Sequence, residues 1–238
     1  MSANLPPAEL LRQQAAWLAP ARAKLLRRVQ IAQRRRVLDL ACGYGTVTGE
    51  LVRRSGGPVV ALDCNPEALA ADDEAFAGAE RVCGDAASLP FDDGSFDLVF
   101  CQFALMWLEV EAVLREVSRV LEPNGALVAL EPDFGGAIEY PPEIATAPIW
   151  RAALIRAGAD PVVGRKLPVL LTNAGWKVHV ELLDRVPPPS PARFDLLRGL
   201  PLTDDEQKTL DQIEAADAAL GNAARVVHLP MFLVAAEK

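Results

Sequence analysis

Short apolar runs alternate with helical patterns between residues 36 and about 131, and this alternation restricts the fold more than any other feature. The helical patterns occupy about 46–55, 65–76 and 108–121. Strands that alternate with helices are typical of βα units, in which parallel strands form one sheet and helices cover its faces. The pattern therefore predicts an α/β domain with a mostly parallel sheet. Its first five predicted strands are 36–41, 59–63, 81–85, 97–102 and 126–131.

The chain after residue 131 contains two further strand-like segments, at 176–184 and 229–236. No linker or internal repeat interrupts the sequence, so we predict a single domain over residues 1–238. The predicted parts of this domain are an N-terminal helical cap at 1–35, a core at 36–131, and two inserts at 132–165 and 187–224.

Composition and charge disfavour several classes of protein. The net charge of −8 over 238 residues argues against a general nucleic-acid binder, because binding to phosphates requires a basic surface. No signal-peptide pattern or bilayer-length apolar run is found, so we predict a cytoplasmic protein without a membrane partner. The cysteines form no C-x-x-C pair, so neither a zinc site nor a disulfide framework is predicted. They are Cys42, Cys64, Cys83 and Cys101.

Residues 37–52 read VLDLACGYGTVTGELV, a strand followed by a glycine turn and the start of a helix. Gly43 and Gly45 allow the backbone to approach a ligand closely at a helix N-terminus. The third glycine of a dinucleotide motif is missing, because Thr48 occupies that position. Asp39 at the end of the strand would repel a pyrophosphate but suits a ligand that carries positive charge. The turn therefore indicates a nucleotide-like ligand with a cationic end.

This string resembles the first motif of the class I methyltransferases that use S-adenosylmethionine. The later segments CGDAASLPF, DDGSFDLVFCQFALMWL and EVSRVLEPNGALVALEPD resemble further motifs of the same family, in the same order. The resemblance covers residues 37–131 most strongly. It implies a Rossmann-like, seven-stranded, mostly parallel sheet with an antiparallel last strand and helices on both faces. It also implies that S-adenosylmethionine is the cofactor.

The resemblance implies a role for several residues. Asp63 would accept hydrogen bonds from the two ribose hydroxyls, Asp85 would accept one from the adenine amino group, and the Ala86 amide would lie near the ring. Arg22 in the N-terminal helices is a candidate partner for the cofactor's carboxylate. The full set of predicted cofactor-binding residues is Arg22, Asp39, Ala41, Gly43, Gly45, Asp63, Cys64, Asp85, Ala86, Cys101 and Gln102.

The residues after the fourth strand, CQFALMW, bear on the methyl acceptor. They lack the strings that similar DNA, RNA and protein-arginine methyltransferases carry at this place. A magnesium-dependent enzyme would need several oxygen ligands here, and only Glu131 and Asp133 are available opposite Gln102. An aminopropyltransferase would need an acidic residue at position 102. We therefore predict metal-independent methyl transfer to a small molecule, with the acceptor pocket built by the N-terminal helices and the two inserts.

No catalytic residue is assigned. In-line methyl transfer depends mainly on positioning, so a general base is optional. Its candidates are Glu131, His179 and His228, and a catalytic cysteine is a minor alternative because no histidine lies near one in sequence. Two other functions stay open. One is an NAD-dependent oxidoreductase, disfavoured by Asp39 and by the absence of a Tyr-x-x-x-Lys pair, and the other is a cofactor-binding module without activity.

Overall fold

The computed structural model describes residues 5–183, 186, 190–221 and 224–238. Seven strands form one sheet, and two short strands pair separately. The strands are β1 (Val37–Leu40), β2 (Val59–Asp63), β3 (Ala79–Cys83), β4 (Phe96–Gln102), β5 (Leu121–Pro132), β6 (Ile138–Tyr140), β7 (Lys177–Leu182), β8 (Val226–His228) and β9 (Met231–Glu237).

The order of the large sheet is β3-β2-β1-β4-β5-β9-β7. The strands from β1 to β5 pair in parallel, whereas β9 is antiparallel to both of its neighbours, β5 and β7. The strand order reverses between β1 and β4, where open α/β sheets usually bind their ligands. The predicted fold class, a Rossmann-like sheet with an antiparallel last strand, is confirmed.

Helices cover both faces of the sheet because consecutive strand residues point to opposite sides. Leu98 packs with residues of α1 and α2, and its neighbour Val99 packs with residues of α4 and α6. Among the described residues, no helix is both long enough and apolar enough to cross a membrane. The helices are α1 (Ala8–Arg28), α2 (Thr48–Arg54), α3 (Pro66–Ala70), α4 (Val110–Val120), α5 (Ala147–Arg156), α6 (Val163–Asn173), α7 (Ala192–Arg198) and α8 (Asp204–Ala219).

Several element boundaries differ from the prediction, among them the start of β5, which lies at Leu121 rather than 126. β3 spans 79–83 rather than 81–85, and the helix predicted at 65–76 ends at Ala70. The helix stops because the Asp72 carboxylate accepts hydrogen bonds from the amides of Glu74 and Ala75, at 3.1 and 3.2 Å, and so holds a turn. The predicted strand 176–184 ends at Leu182, and its residue 184 lies outside the described part of the chain.

The sequence analysis missed the small sheet of β6 and β8. These strands lie beyond Pro132, where β5 ends, and before Met231, where β9 begins. The Asp133 amide donates to the Pro230 carbonyl at 2.9 Å. This hydrogen bond joins the connection between β5 and β6 to the connection between β8 and β9. Both connections therefore leave the main sheet at the edge where the parallel strands end. Near them, α5, α7 and α8 share a separate apolar cluster of Ile149, Ala153, Phe194, Leu197, Leu210 and Ile213.

Candidate functional site

The glycine turn connects β1 to α2 at the carboxyl edge of the sheet. Gly45 adopts a φ of +70°, and a Cβ atom at this position would lie only 2.8 Å from the ring of Phe76. Conformation and space therefore both require glycine here. Gly43 also has a positive φ, and Leu5 of the N-terminal segment lies over it, 3.7 Å from the position a Cβ would take. The N-terminal segment thus approaches the turn.

Asp39 lies at this edge with only 3% of its surface exposed. One of its carboxylate oxygens accepts a hydrogen bond of 2.6 Å from the Thr48 hydroxyl at the start of α2. Burial raises the pKa of Asp39 to about 7, against the lowering effects of the Thr48 hydrogen bond and of the nearby Arg22 charge. Thr48, the residue that replaces the third glycine of a dinucleotide motif, therefore positions this carboxyl group.

Asp63 joins the loops that follow β1 and β2. Its Oδ2 accepts from the Gly43 amide at 2.8 Å, and its Oδ1 accepts from the Asn65 amide at 2.9 Å. The side chain is largely buried but reaches the surface of the edge, since 7% of the residue is exposed. Each carboxylate oxygen has a second lone pair. Asp63 is therefore fixed in position and still able to accept hydrogen bonds from a ligand.

The residues after β3 form the next part of the edge. Asp85 is exposed, with its Oδ1 accepting from the Ala87 amide at 2.8 Å, and Ala86 is buried. Cys64 is exposed, whereas Cys101 at the end of β4 is fully buried. Burial, followed by the nearby Glu131 carboxyl, raises the pKa of the Cys101 thiol well above its usual range. This thiol is therefore protonated at neutral pH.

Arg22 reaches the same edge from α1 and is almost completely buried. Its Nε and Nη2 donate to Glu50 at 2.9 and 2.6 Å, and its Nη1 donates to Gln102 at 3.0 Å and to the Ala15 carbonyl at 2.9 Å. The structure thus brings Arg22 and Gln102 together, as a common site would require. Sequence analysis missed Glu50, although an acidic residue in the first turn of α2 was a visible signal.

Glu131 near the end of β5 is fully buried. Its Oε1 accepts from the amides of Ala104 and Leu105, at 3.0 and 2.9 Å, where a short 3-10 helix follows β4. Its Oε2 has no partner among the described residues. Burial raises the pKa of Glu131 to about 7, although the backbone hydrogen bonds oppose this shift. The side chain anchors the segment after β4 and is closed off from solvent.

The two histidines lie on antiparallel strands. His179 pairs in register with Ala235 in the middle of the edge strand β7, and its Nε2 lies 2.8 Å from Glu181. His228 belongs to β8, opposite Ile138. Neither position is at the end of a parallel strand. In the described part of the chain, no three histidine, cysteine, aspartate or glutamate side chains are grouped as metal ligands would be.

Comparison with known proteins identifies the domain. Residues 38–129 match the family model described as a methyltransferase domain. An uncharacterized methyltransferase of Mycobacterium tuberculosis is 40% identical over 111 residues, which are 47% of this chain and 41% of the relative. The demethylmenaquinone methyltransferase of Mycolicibacterium gilvum is 43% identical over 104 residues, which are 43% of this chain and 44% of the relative. The chain thus spans less than half the length of these two curated relatives.

A solved structure extends the likeness over nearly the whole chain. The YcgJ protein from Bacillus subtilis has a TM-score of 0.66 and 18% identity, and the match covers 91% of this chain and 98% of that one. At this identity the likeness establishes the fold alone. Together with the family match, it defines the protein as carrying a methyltransferase domain with the class I fold. The resemblance predicted from the sequence is confirmed for this domain: residues 38–129 match the methyltransferase family model, and the fold is the one shared by class I methyltransferases, whose cofactor is S-adenosylmethionine.

Proposed function

We propose that this protein transfers a methyl group from S-adenosylmethionine to a small-molecule acceptor without a metal ion. The observation that carries the proposal is the pair of buried carboxyl groups, Asp39 and Asp63, held on either side of the glycine turn. Such a turn with acidic neighbours suits a ligand that has hydroxyl groups and a cationic end. Asp39 would oppose the pyrophosphate of a dinucleotide, which argues against the oxidoreductase alternative, whereas an acidic residue at the position of Asp63 is common to both classes.

The residues present fit S-adenosylmethionine. Asp63 would accept from the ribose hydroxyls with its remaining lone pairs, and Asp85 and Ala86 would bind the adenine. The Gly43–Gly45 turn and Asp39 would hold the methionine end, together with Arg22 and Gln102. Ala41, Cys64 and Cys101 would line the same edge, where the Cys101 side chain would fill buried apolar space. When bound, the cofactor supplies an electrophilic methyl group, and these residues orient it and exclude water.

Catalysis by a protein base is not part of the proposal. Glu131 uses Oε1 to hold the segment after β4 and has no exposed surface through which to reach an acceptor. Protonated Cys101 cannot act as a nucleophile. Transfer would therefore depend on placing the acceptor atom in line with the methyl group, which supplies up to about 7–11 kcal/mol in well-oriented reactions.

The small-molecule acceptor is supported by the absence of acceptor-specific strings after β4 and by a relative whose name states methylation of demethylmenaquinone. The helical cap at 1–35 and the inserts at 132–165 and 187–224 would form the acceptor pocket. Absence of nucleic-acid partners and a cytoplasmic location stay predictions from charge and sequence.

The test uses S-adenosylmethionine labelled in its methyl group and a small-molecule extract of cells. We expect label in an extracted metabolite with the wild-type protein and a strong loss of it with Asp63→Ala. The matched control is Asp92→Ala, which removes an exposed carboxylate outside the site. Failure to label any metabolite, with S-adenosylhomocysteine still bound, would contradict the proposed reaction and favour a binding module without activity.

A further inference from the structure

A second buried polar cluster lies outside the proposed cofactor site. Arg193, in the first turn of α7, has a side chain that is only 10% exposed. None of its three guanidinium nitrogens has a hydrogen-bond partner among the described residues. Buried guanidinium groups are normally satisfied, so an unsatisfied one requires an explanation. A ligand that accepts hydrogen bonds would provide it.

The neighbours of Arg193 supply too few acceptors. Its Nη2 lies 3.2 Å from the Asp217 Oδ1, and the Arg225 Nε lies 2.9 Å from the same oxygen. These are ion-pair distances, but neither pair meets the angular requirements of a hydrogen bond. One carboxylate is thus shared by two guanidinium groups. Burial is the main cause of a lowered pKa for Arg193, and the attraction of Asp217 only partly opposes it.

Glu139, the other acidic group near Arg193, is already engaged. Its carboxylate accepts from the Thr146 amide and hydroxyl and from the Ala147 amide, at 2.7–2.8 Å. These donors belong to the start of α5, so Glu139 serves to cap that helix. Glu139 therefore accepts no hydrogen bond from Arg193, although its charge still attracts the guanidinium group.

This cluster, defined as Arg193, Arg225 and Asp217, belongs to the part of the fold that would form the acceptor pocket. Arg225 lies directly before β8, which pairs with β6, and both short strands stand at the edge where β5 ends and β9 begins. Asp39, Asp63 and Gln102 lie at the same edge of the sheet.

We infer that Arg193, with Arg225, binds a carboxylate group of the methyl acceptor. This inference rests on the proposed function. Guanidinium groups bind carboxylates through two parallel hydrogen bonds, which would give partners to two of the three unpartnered nitrogens of Arg193. A doubly charged phosphate would place more negative charge beside Asp217 and Glu139 than a carboxylate does. The acceptor class is therefore a small molecule that carries a carboxylate.

The experiment compares carboxylic acids with their primary amides as probes. Benzoate and benzamide, hexanoate and hexanamide, and indole-3-acetate and indole-3-acetamide are titrated into the protein in the presence of S-adenosylhomocysteine, with the melting midpoint as the readout. We expect at least one acid to stabilise the protein where its amide does not. Arg193→Gln should weaken binding of that acid at least tenfold. Arg198→Gln is the matched control, because Arg198 lies on the same helix but pairs with Asp211 and Glu214.

Asp217→Asn separates a binding role from a structural one. If the cluster binds a carboxylate, removing the Asp217 charge should tighten binding of the acid, on the order of tenfold, because a like charge is removed. If the cluster only stabilises the fold, Arg193→Gln and Asp217→Asn should both lower the stability of the protein. The difference in binding between acid and amide should then stay the same. Should Arg193→Gln fail to fold, Arg193→Lys keeps the charge but not the planar fork, and it should still weaken binding of the acid.

Equal effects of acids and amides across the panel, or full affinity in Arg193→Gln, would overturn the inference. Methyl transfer is measured separately on the same preparations. A wild-type protein that prefers the acids but labels no metabolite would support the carboxylate site and contradict the proposed reaction. Labelling of only uncharged metabolites would support the proposed reaction and contradict the carboxylate site.

Discussion

Replacing Glu131 by Gln should change how the stability of the protein depends on pH. The carboxyl group is fully buried, and its pKa is raised from the usual 4.5 to about 7. Folding therefore favours the protonated form, and the folded state binds more protons than the unfolded state between these two values. Stability contributed by this group is present below pH 4.5 and is lost as the pH rises through 7. Glutamine keeps the Oε1 acceptor for Ala104 and Leu105 but cannot ionise.

The expected magnitude follows from the size of the shift. Each pKa unit corresponds to about 1.4 kcal/mol, so between pH 5 and pH 8 the wild type should lose about 2 to 3 kcal/mol relative to Glu131→Gln. Urea unfolding at a series of pH values measures the free energy of unfolding of both proteins. Asp39 also has a raised pKa, but it is present in both proteins and its effect cancels in the comparison. Parallel curves for the two proteins would refute the conclusion that Glu131 is buried in its protonated form.

Two further substitutions test the glycine turn and the ribose contact. Asp63→Ala should weaken binding of S-adenosylhomocysteine by one or more orders of magnitude, because charge-assisted hydrogen bonds contribute about 1.5–3 kcal/mol each, and calorimetry showing unchanged affinity in the folded variant would remove Asp63 from the site. Gly45→Ala should destabilise the protein by about 2–3 kcal/mol, through backbone strain and contact with Phe76. Gly158→Ala is the control, since Gly158 also has a positive φ but no atom lies within 4 Å of an added Cβ. Equal losses in the two glycine variants would show that the contact with Phe76 has no effect.

The main sheet could be predicted because its signals are local. Each buried strand, such as Val59–Asp63, appears as a short apolar run, and the glycine turn is contained within a few residues. Asp39 and Asp63 could be placed at one edge because the carboxyl ends of parallel strands meet there. Those positions required only the order of the elements, not the details of their packing.

The features that were missed depend on residues far apart in sequence. β6 and β8 have three residues each, too few for a periodic pattern, and each needs the other as a partner. The bonding of Arg22 to Glu50 depends on how α1 crosses the sheet. The early end of α3 depends on a turn at Asp72 that competes with the helix. In each case tertiary contacts or side-chain hydrogen bonds decided what periodicity alone could not.

A thermal-shift comparison of two ligands tests the assignment of the cofactor site most directly. A ligand that binds only the folded state stabilises it by about 2.7 kcal/mol at a hundredfold excess over its dissociation constant, and each kcal/mol raises the melting midpoint of a domain this size by roughly 2–4 °C. We predict that S-adenosylhomocysteine at about millimolar concentration raises the midpoint by several degrees and that NADH does not, because Asp39 beside the glycine turn opposes a pyrophosphate. Stabilisation by NADH with no effect of S-adenosylhomocysteine would contradict the account.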